Sequence, residues 1–219
     1  MKTILSISML FLVTVSFSQK LYIVKSNDLF GLVDESGIEI VSPKYNSIEA
    51  FGKIHPDWAK IELENLYGLI DKTGKIITEA KYTSIGAYDE YKKGWSLVQK
   101  DGKFGFINNT GKEIVHSIYD KIGKFGEYTK DWVLIESQNI KGFINGDGTI
   151  IVPLKYTAIE EFDKVRKDWA LVKDSKGKIG FIDKSGKEII PVIYDSIDAF
   201  TDKKATENPS TKNDQASVN

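Results

Sequence analysis

The chain has 219 residues, of which 30 are lysine or arginine and 31 are aspartate or glutamate, so its formal net charge is −1 with both histidines neutral. This balance excludes the basic surplus that nucleic-acid binding requires. Because the chain contains no cysteine, it has no disulfide framework, no cysteine nucleophile and no cysteine for a lipid anchor. Two histidines without cysteine predict no zinc site, and we expect no cofactor.

The first 18 residues have the pattern of a secretory signal peptide. Lys2 gives a positive start, residues 4–15 are mostly apolar, and Ser16-Phe17-Ser18 supplies the small residues of a cleavage site. The apolar run is shorter than the roughly 20 residues of a membrane span. The pattern therefore predicts a mature chain that starts at Gln19, carries no membrane span and is exported to the periplasm or secreted. A buried N-terminal helix or strand is the alternative.

From Leu21 onward, the same residue types recur with a period of 37, except for one step of 38 among the glycines. Glycine occupies two positions of the repeat and tryptophan a third. The first glycines are Gly31, Gly68, Gly105, Gly142 and Gly180, the second are Gly37, Gly74, Gly111, Gly148 and Gly186, and the tryptophans are Trp58, Trp95, Trp132 and Trp169. Such a period is typical of an array of supersecondary units that pack on their neighbours.

Each unit has the sequence of an antiparallel three-stranded meander. In the third unit, β-prone runs at 95–98 and 103–107 flank Asp101-Gly102, a strong hairpin signal. A second turn begins with aspartate or asparagine and ends with glycine, as in Asn108-Asn109-Thr110-Gly111. Glycine there supplies a positive φ, so we expect asparagine to replace it at little cost. The third strand starts at Glu113.

The first glycine of each unit lies inside the second strand, where it costs about 0.5–1 kcal/mol relative to alanine. Two explanations are open: a bulged backbone, or a bulky group such as the tryptophan ring lying on the glycine. The two-residue turn pairs Gly105 with Val98, which points Gly105 away from Trp95. A ring could then cover the glycine only from a neighbouring unit or across a shifted register.

The connector that completes each unit has an apolar residue at every third position, for example Tyr119, Ile122 and Phe125. This spacing predicts coil or a short 3₁₀ turn with these side chains inward. The equivalent residues are Tyr45, Ile48 and Phe51; Tyr82, Ile85 and Tyr88; Tyr156, Ile159 and Phe162; and Tyr194, Ile197 and Phe200. Pro43, Pro153 and Pro191 lie just upstream and predict the end of the third strand.

We therefore predict an all-β chain with five units, followed by a disordered polar tail over residues 203–219. The units are placed at about 21–57, 58–94, 95–131, 132–168 and 169–202. We expect an open solenoid or superhelical array, because a polar tail does not suit the interlocked termini of a closed ring. A five-bladed β-propeller is the alternative, although propeller blades usually have four strands.

The recurring pattern resembles the bacterial WG-repeat family. It reads Trp-x-x-Val, then aromatic-Gly-Phe/Leu-Ile-Asp/Asn-x-x-Gly-Lys-x-Ile-Ile, with Tyr and Ile downstream; residues 169–172, 180–183, 186–190 and 194–197 carry it most closely. Leu21 replaces tryptophan in the first unit, as suits a terminal repeat. The resemblance implies a β-repeat protein that has no established common chemistry and serves as an interaction module.

Catalysis is not expected from this inventory. His55 and His116 fall at non-equivalent points of their units, and Asp34, Asp71 and Asp183 occupy turn positions that are asparagine in other units. We predict no catalytic, metal or cofactor-binding residue. The tryptophans and strand glycines are expected to be structural, and the alternative for the tryptophans is a row of rings that stacks on a polysaccharide.

The connector tips differ most between units and form the candidate interaction edge. Their central residues, Ile54, Tyr91, Tyr128 and Val165, are expected to pack down. Cations flank them: Lys53, Lys92, Lys93, Lys130, Lys164, Arg166 and Lys167. A merely solvated edge is the alternative. We predict an exported, non-catalytic module that binds an unknown protein or cell-envelope component; carbohydrate binding is the second hypothesis and a hydrolase the third.

Overall fold

A computed structural model describes residues 20–198 of the chain. The predicted signal peptide, the predicted tail and Phe200 lie outside this range. Within it, every regular element is a β-strand. The described part of the chain forms no helix that is long and apolar enough to cross a membrane. The expected all-β class is therefore confirmed.

The strands form five antiparallel sheets in chain order. The first sheet contains β1 (Leu21–Ser26), β2 (Leu29–Asp34) and β3 (Glu39–Tyr45). The second contains β4 (Ser47–Ile48), β5 (Trp58–Leu63), β6 (Leu66–Asp71) and β7 (Ile76–Tyr82); the third β8 (Ser84–Ile85), β9 (Trp95–Lys100), β10 (Lys103–Asn108) and β11 (Glu113–Tyr119); the fourth β12 (Lys121–Ile122), β13 (Trp132–Ser137), β14 (Ile140–Asn145) and β15 (Ile150–Tyr156); the fifth β16 (Ala158–Ile159), β17 (Trp169–Lys173), β18 (Ile179–Asp183) and β19 (Glu188–Tyr194).

The predicted meander forms the body of every sheet, and four sheets add a two-residue strand that the sequence did not predict. This strand comes from the connector, where coil or 3₁₀ structure was expected. Ile48, for example, pairs with Ile61 of the next unit's first strand. Each connector therefore fastens one unit to the next through backbone hydrogen bonds, which explains why its tyrosine and isoleucine side chains are drawn inward.

The two turns of each unit have the predicted geometry. Asp101 and Gly102 both have positive φ, at 51° and 76°, as a two-residue hairpin turn requires. In the second turn, the Asp34 carboxylate accepts hydrogen bonds from the backbone N–H groups of Ser36 and Ile38, both at 2.8 Å. Gly37 closes that turn with a φ of 80°. An aspartate or asparagine at the first position thus holds the turn through its own side chain.

A bulge in the third strand explains the glycine inside the second strand. Tyr67 pairs with Tyr82 but Leu69 pairs with Thr78, so β7 carries extra residues opposite Gly68. The backbone of the bulge lies directly over the glycine: a Cβ on Gly105 would be 2.4 Å from the Val115 carbonyl oxygen. The covering group is therefore main chain and not a tryptophan ring.

The same bulge explains why the prediction that the prolines end the third strand is wrong. The third strand does not end at Pro43, Pro153 or Pro191; it continues to the tyrosine at its last position. In the bulge, the regular ladder is interrupted and a residue without an N–H loses no hydrogen bond there. Proline therefore fits a strand interior at this one place.

Apolar clusters lie between successive sheets and join them in chain order. One cluster packs Leu32, Val41 and Tyr45 of the first sheet against Ile61 and Ile70 of the second, and three equivalent clusters follow. The glycine of the second turn completes each contact, because a Cβ on Gly111 would be 2.5 Å from the carbonyl oxygen of Ile77 in the preceding sheet. No cluster within residues 20–198 joins the first sheet to the last, so the array is open.

Three tryptophans are buried in these clusters. Trp58, Trp95 and Trp132 expose 6–8% of their surface, whereas Trp169 in the last sheet is only partly buried. The ring of Trp95 packs edge-on against Phe125 of the following connector, with centroids 5.7 Å apart. Trp132 meets Phe162 in the same way at 5.8 Å. These rings join connector and sheet and present no free face to solvent.

The turn glycines can be separated by experiment into those that need only positive φ and those that also need an absent side chain. Gly111→Asn should lower the melting temperature strongly, because its Cβ would collide with Ile77. Gly102→Asn should have little effect, since Gly102 has a similar φ and no atom within 4 Å of the added Cβ. Equal losses measured by thermal unfolding would contradict this distinction. A strong loss for Gly111→Asn alone would overturn the sequence-based expectation that asparagine is tolerated at position 111.

Removing a buried tryptophan should be costly. Trp95→Ala or Trp132→Ala is expected to reduce the free energy of unfolding by about 3–5 kcal/mol, the usual penalty for emptying a core aromatic site. Trp169→Ala is the matched control and should cost clearly less, because its ring is already partly exposed. Denaturant unfolding followed by circular dichroism would measure both. Similar losses for all three variants would mean that burial of the tryptophan ring does not determine the loss in free energy of unfolding.

Candidate functional site

Four connector tips, residues 52–57, 89–94, 126–131 and 163–168, form equivalent loops in front of the four tryptophans. Each loop is closed at its base by two backbone hydrogen bonds. In the second tip, the N–H of Asp89 donates to the Trp95 carbonyl oxygen at 3.0 Å, and the Trp95 N–H donates to the carbonyl oxygen of Lys92 at 3.0 Å. The corresponding bonds at Trp58, Trp132 and Trp169 are 3.1–3.4 Å long. The four loops therefore share one pattern of backbone hydrogen bonds but differ in their side chains; we call this shared backbone the constant frame.

The central apolar residue packs down in three of the four tips. Ile54, Tyr91 and Tyr128 are half-buried and contact the clusters around Trp58, Trp95 and Trp132. Val165 differs, with 60% of its surface exposed. In the other tips, the following sheet completes the cluster that receives the central residue. Within residues 20–198, no further sheet follows Trp169 to complete such a cluster, and Val165 lines an open cavity beside Trp169 and Phe181.

The structure gives the seven predicted cations different surroundings. Lys53 and Lys164 form ion pairs with Glu49 at 3.5 Å and Glu161 at 3.7 Å, each within its own connector. The Arg166 guanidinium lies 4.3 Å from the centre of the Trp169 ring. Exposed pairs of this kind contribute little to stability.

Lys92 has a structural role between two units. Its ammonium group donates to the carbonyl oxygen of Gly146 at 2.5 Å and lies 3.6 Å from the Asp131 carboxylate. It also lies over the rings of Trp95 and Phe125. Of the seven predicted cations, all within the described residues, Lys93, Lys130 and Lys167 have neither an ion pair nor an aromatic ring beneath them, and each lies on a different tip.

Carboxylates fix three of the tips to the second turn of the sheet that follows. At the third tip, the Asp131 carboxylate accepts a hydrogen bond from the Gly146 N–H at 3.4 Å. Lys184 donates to Asp163 and Asp168, both at 2.8 Å, and Lys72 lies 3.2 Å from Asp57. The hydrogen bond from Lys184 lowers the pKa of the Asp163 carboxyl, and the same contact raises the pKa of Lys184. These tips are therefore held in place at both their base and their side.

A cleft of about 350 Å³ separates the first two tips. Its walls combine apolar and charged groups: Ile54, His55, Pro56, Tyr88, Asp89, Lys93, Gly94 and Asn109. His55 stacks on Trp58 with ring centroids 4.0 Å apart and meets the edge of Tyr88 at 5.3 Å. His55 is thus a packed wall of the cleft. The volume is at the low end for ligand pockets and suits one or two side chains of a partner.

Sequence reasoning identified Lys93 but missed most of this cleft. Tyr88 was assigned to the core of its own unit, and Asn109 to a turn. The cleft forms only when the tips of successive units lie side by side, so its residues come from three separated segments. The variable tip sequences were the one available signal.

The structure does not bring the histidines together. His116 lies on β11 with its side chain 81% exposed, 3.8 Å from the Glu113 carboxylate. That carboxylate already accepts hydrogen bonds from the N–H and hydroxyl of Ser117, at 2.9 and 2.8 Å. In residues 20–198, no three histidine, cysteine or acidic side chains are grouped so that they could hold a metal ion.

Comparison with known structures gives distant similarities. A structure of Hsv2 from Kluyvelomyces marxianus matches with 9% identity and a TM-score of 0.27, covering 75% of this chain and 59% of that one. BamB from Moraxella catarrhalis matches with 14% identity and a TM-score of 0.28, covering 76% and 59%. The chain thus spans about three-fifths of the length of these proteins. No curated protein matches significantly.

The sequence profile of one family matches the chain repeatedly. The family is described as "WG containing repeat", and its profile matches residues 30–54, 67–104, 104–128, 142–178 and 179–206. These five segments cover well over half of the 219 residues, and each begins at or one residue before the second-strand glycine of its unit. The chain therefore belongs to the WG containing repeat family.

Proposed function

We propose that this chain is an exported, non-catalytic binding module, and that its connector tips contact a protein or another component of the cell envelope. The observation that carries the proposal is the constant frame beneath variable tips. The backbone hydrogen bonds of the four loops are the same, while their exposed side chains differ from tip to tip. Loops of variable sequence on a rigid scaffold are a common location for binding residues.

The cleft between the first two tips is the proposed anchor point. Lys93 and Asp89 stand at its rim, and the rings of His55 and Tyr88 give it apolar walls, with the buried ring of Trp58 stacked behind His55. A single large side chain of a partner could bury apolar surface there while its polar end pairs with one of the rim charges. The neighbouring tips with Lys130 and Lys167 would then add charged contacts that orient the partner.

The absence of catalysis is part of the proposal. The two histidines lie on separate elements, and the turn aspartates are engaged with backbone N–H groups. Carbohydrate binding would need ring faces other than those of Trp58, Trp95 and Trp132, which are buried. A protein partner is therefore the better occupant of the cleft.

The test compares charge reversal on the tips with the same reversal elsewhere. In one variant, Lys93→Glu is combined with Lys130→Glu; in the control, Lys112→Glu is combined with Lys187→Glu, two exposed lysines in second turns. The immobilised wild-type chain is used to capture partners from an envelope extract, and the affinity of each captured protein is measured against both variants. The tip variant should bind about tenfold more weakly, with the control and both melting temperatures unchanged.

Two outcomes would count against the proposal. Equal binding by the tip variant and the control would exclude the tips as the contact. Binding of a purified glycan by the wild-type chain, retained in the tip variant, would favour the carbohydrate alternative.

A further inference from the structure

The joints between neighbouring sheets repeat one design four times. A connector strand pairs with the first strand of the next unit, as Ala158 does with Lys173 and Ile159 with Val172. The second-turn glycine of the next unit lies against the third strand of the preceding one: a Cβ on Gly186 would be 2.8 Å from the Ile151 carbonyl oxygen. Apolar side chains fill the space between the two sheets.

At each internal joint, one sheet receives the connector strand of the preceding unit along the edge of its own first strand; we call this receiving surface the acceptor half. The first sheet has an acceptor half but no partner for it in the described residues. Its outward residues Tyr22 and Val24 occupy the repeat positions of Ala59 and Ile61, which are buried in the second sheet, yet Tyr22 is 45% exposed. No strand within residues 20–198 pairs with the outer edge of β1. Gly37 has no atom within 4 Å of an added Cβ, unlike its four counterparts, which all abut a preceding sheet.

The opposite surface of a joint, formed by the third strand and the connector that follows it, is called the donor half. The last sheet has a donor half without a partner in the described residues. Tyr194 is 45% exposed, whereas Tyr156 at the equivalent position of the fourth unit is 2% exposed. Ile190 lines an open cavity of about 350 Å³ beside Trp169 and Phe181. Ser196 and Ile197 correspond to the strand residues Ala158 and Ile159 but are not paired with any strand in the described part of the chain.

The two ends of the array also carry the two residues of a polar contact that is formed at an internal joint. In the last internal joint, the Tyr156 hydroxyl donates to the Glu188 carboxylate at 2.7 Å. Although burial acts to raise its pKa, the hydrogen bonds from Lys155 and Tyr156 hold the pKa of Glu188 below its usual value. Tyr194 and Glu39 stand at the same two repeat positions, one at each end of the array, and both are exposed.

From these matched halves we infer that the two ends of the array bind each other between copies of the chain, head to tail. Ser196 and Ile197 of one copy pair with Lys25 and Val24 of the next, and the Tyr194 hydroxyl of the first donates to Glu39 of the second. Repeat arrays normally need polar end faces to remain soluble, and here both ends keep the apolar residues of an internal joint. A contact between two different faces extends into filaments or closes into rings.

Sedimentation velocity over a range of concentrations tests this assembly on the full chain. Wild type should associate, while Tyr22→Lys and Tyr194→Lys should each weaken association about tenfold or more. Ile23→Lys is the matched control: Ile23 is 46% exposed on the opposite face of β1, and lysine occupies its repeat position as Lys60. A mixture of the two defective variants should form dimers that grow no further, since one working face of each kind remains.

Several outcomes would overturn the inference. They are a wild-type chain that stays monomeric at every concentration, a Tyr22→Lys variant that still dimerises alone through a symmetric contact, and loss of association in Ile23→Lys. Association that appears only after removal of residues 199–219 would show that this segment, and not a second copy, covers the last sheet.

A disulfide trap tests the register directly, because the chain has no cysteine of its own. Residues paired across antiparallel strands have Cα atoms about 4.5–5.5 Å apart, within the range of a disulfide. Ser196→Cys mixed with Lys25→Cys should cross-link into dimers, whereas either variant mixed with Lys112→Cys should not. In the variant that carries both cysteines, a disulfide confined to the monomer would instead show closure of one chain on itself and would overturn the inference.

Discussion

The architecture depends on the close approach of two backbone segments within each unit. The third strand bulges over a glycine of the second strand so closely that a Cβ on Gly31, Gly105 or Gly142 would lie 2.4 Å from a carbonyl oxygen. The bulge moves the end of the third strand by two residues relative to its partner. The terminal tyrosine of the third strand, Tyr45 in the first unit, packs against the next sheet.

Much of this fold could be predicted because its determinants are local. Periodicity gave the number of units, and turn chemistry gave both turns, down to the pairing of Gly105 with Val98. The connector strand was missed because two residues with no alternating pattern carry no strand signal. The prolines were misleading for a related reason: proline normally ends a strand, and only the bulge, a contact between two strands, makes an exception at Pro43.

The candidate site was less predictable because it lies between units. A tip can be recognised in the sequence as a variable segment, but the side-by-side arrangement of two tips cannot. Lys92 illustrates the difference. On its own tip it is one of two adjacent lysines, yet its ammonium group reaches Gly146, which is 54 residues away in the chain. The neighbouring Lys93 instead faces the cleft, so adjacent identical residues have different roles.

Because the tips are separate from the joints, the binding surface can change in sequence without loss of the array's stability. Each apolar cluster joins only two successive sheets, so the energy of the array is close to a sum of unit and nearest-neighbour terms. The tips project from the array and contribute to it mainly through the packed central residues of three tips and through the contacts of Lys92. A substitution at an exposed tip position therefore changes the contact surface while the joints stay intact. In contrast, the strand glycines are required by the bulge of their own unit, and the second-turn glycines, the tyrosines and the tryptophans are required by contacts with a neighbouring unit. These constraints explain why these residue types recur in nearly every unit while the exposed tip residues do not.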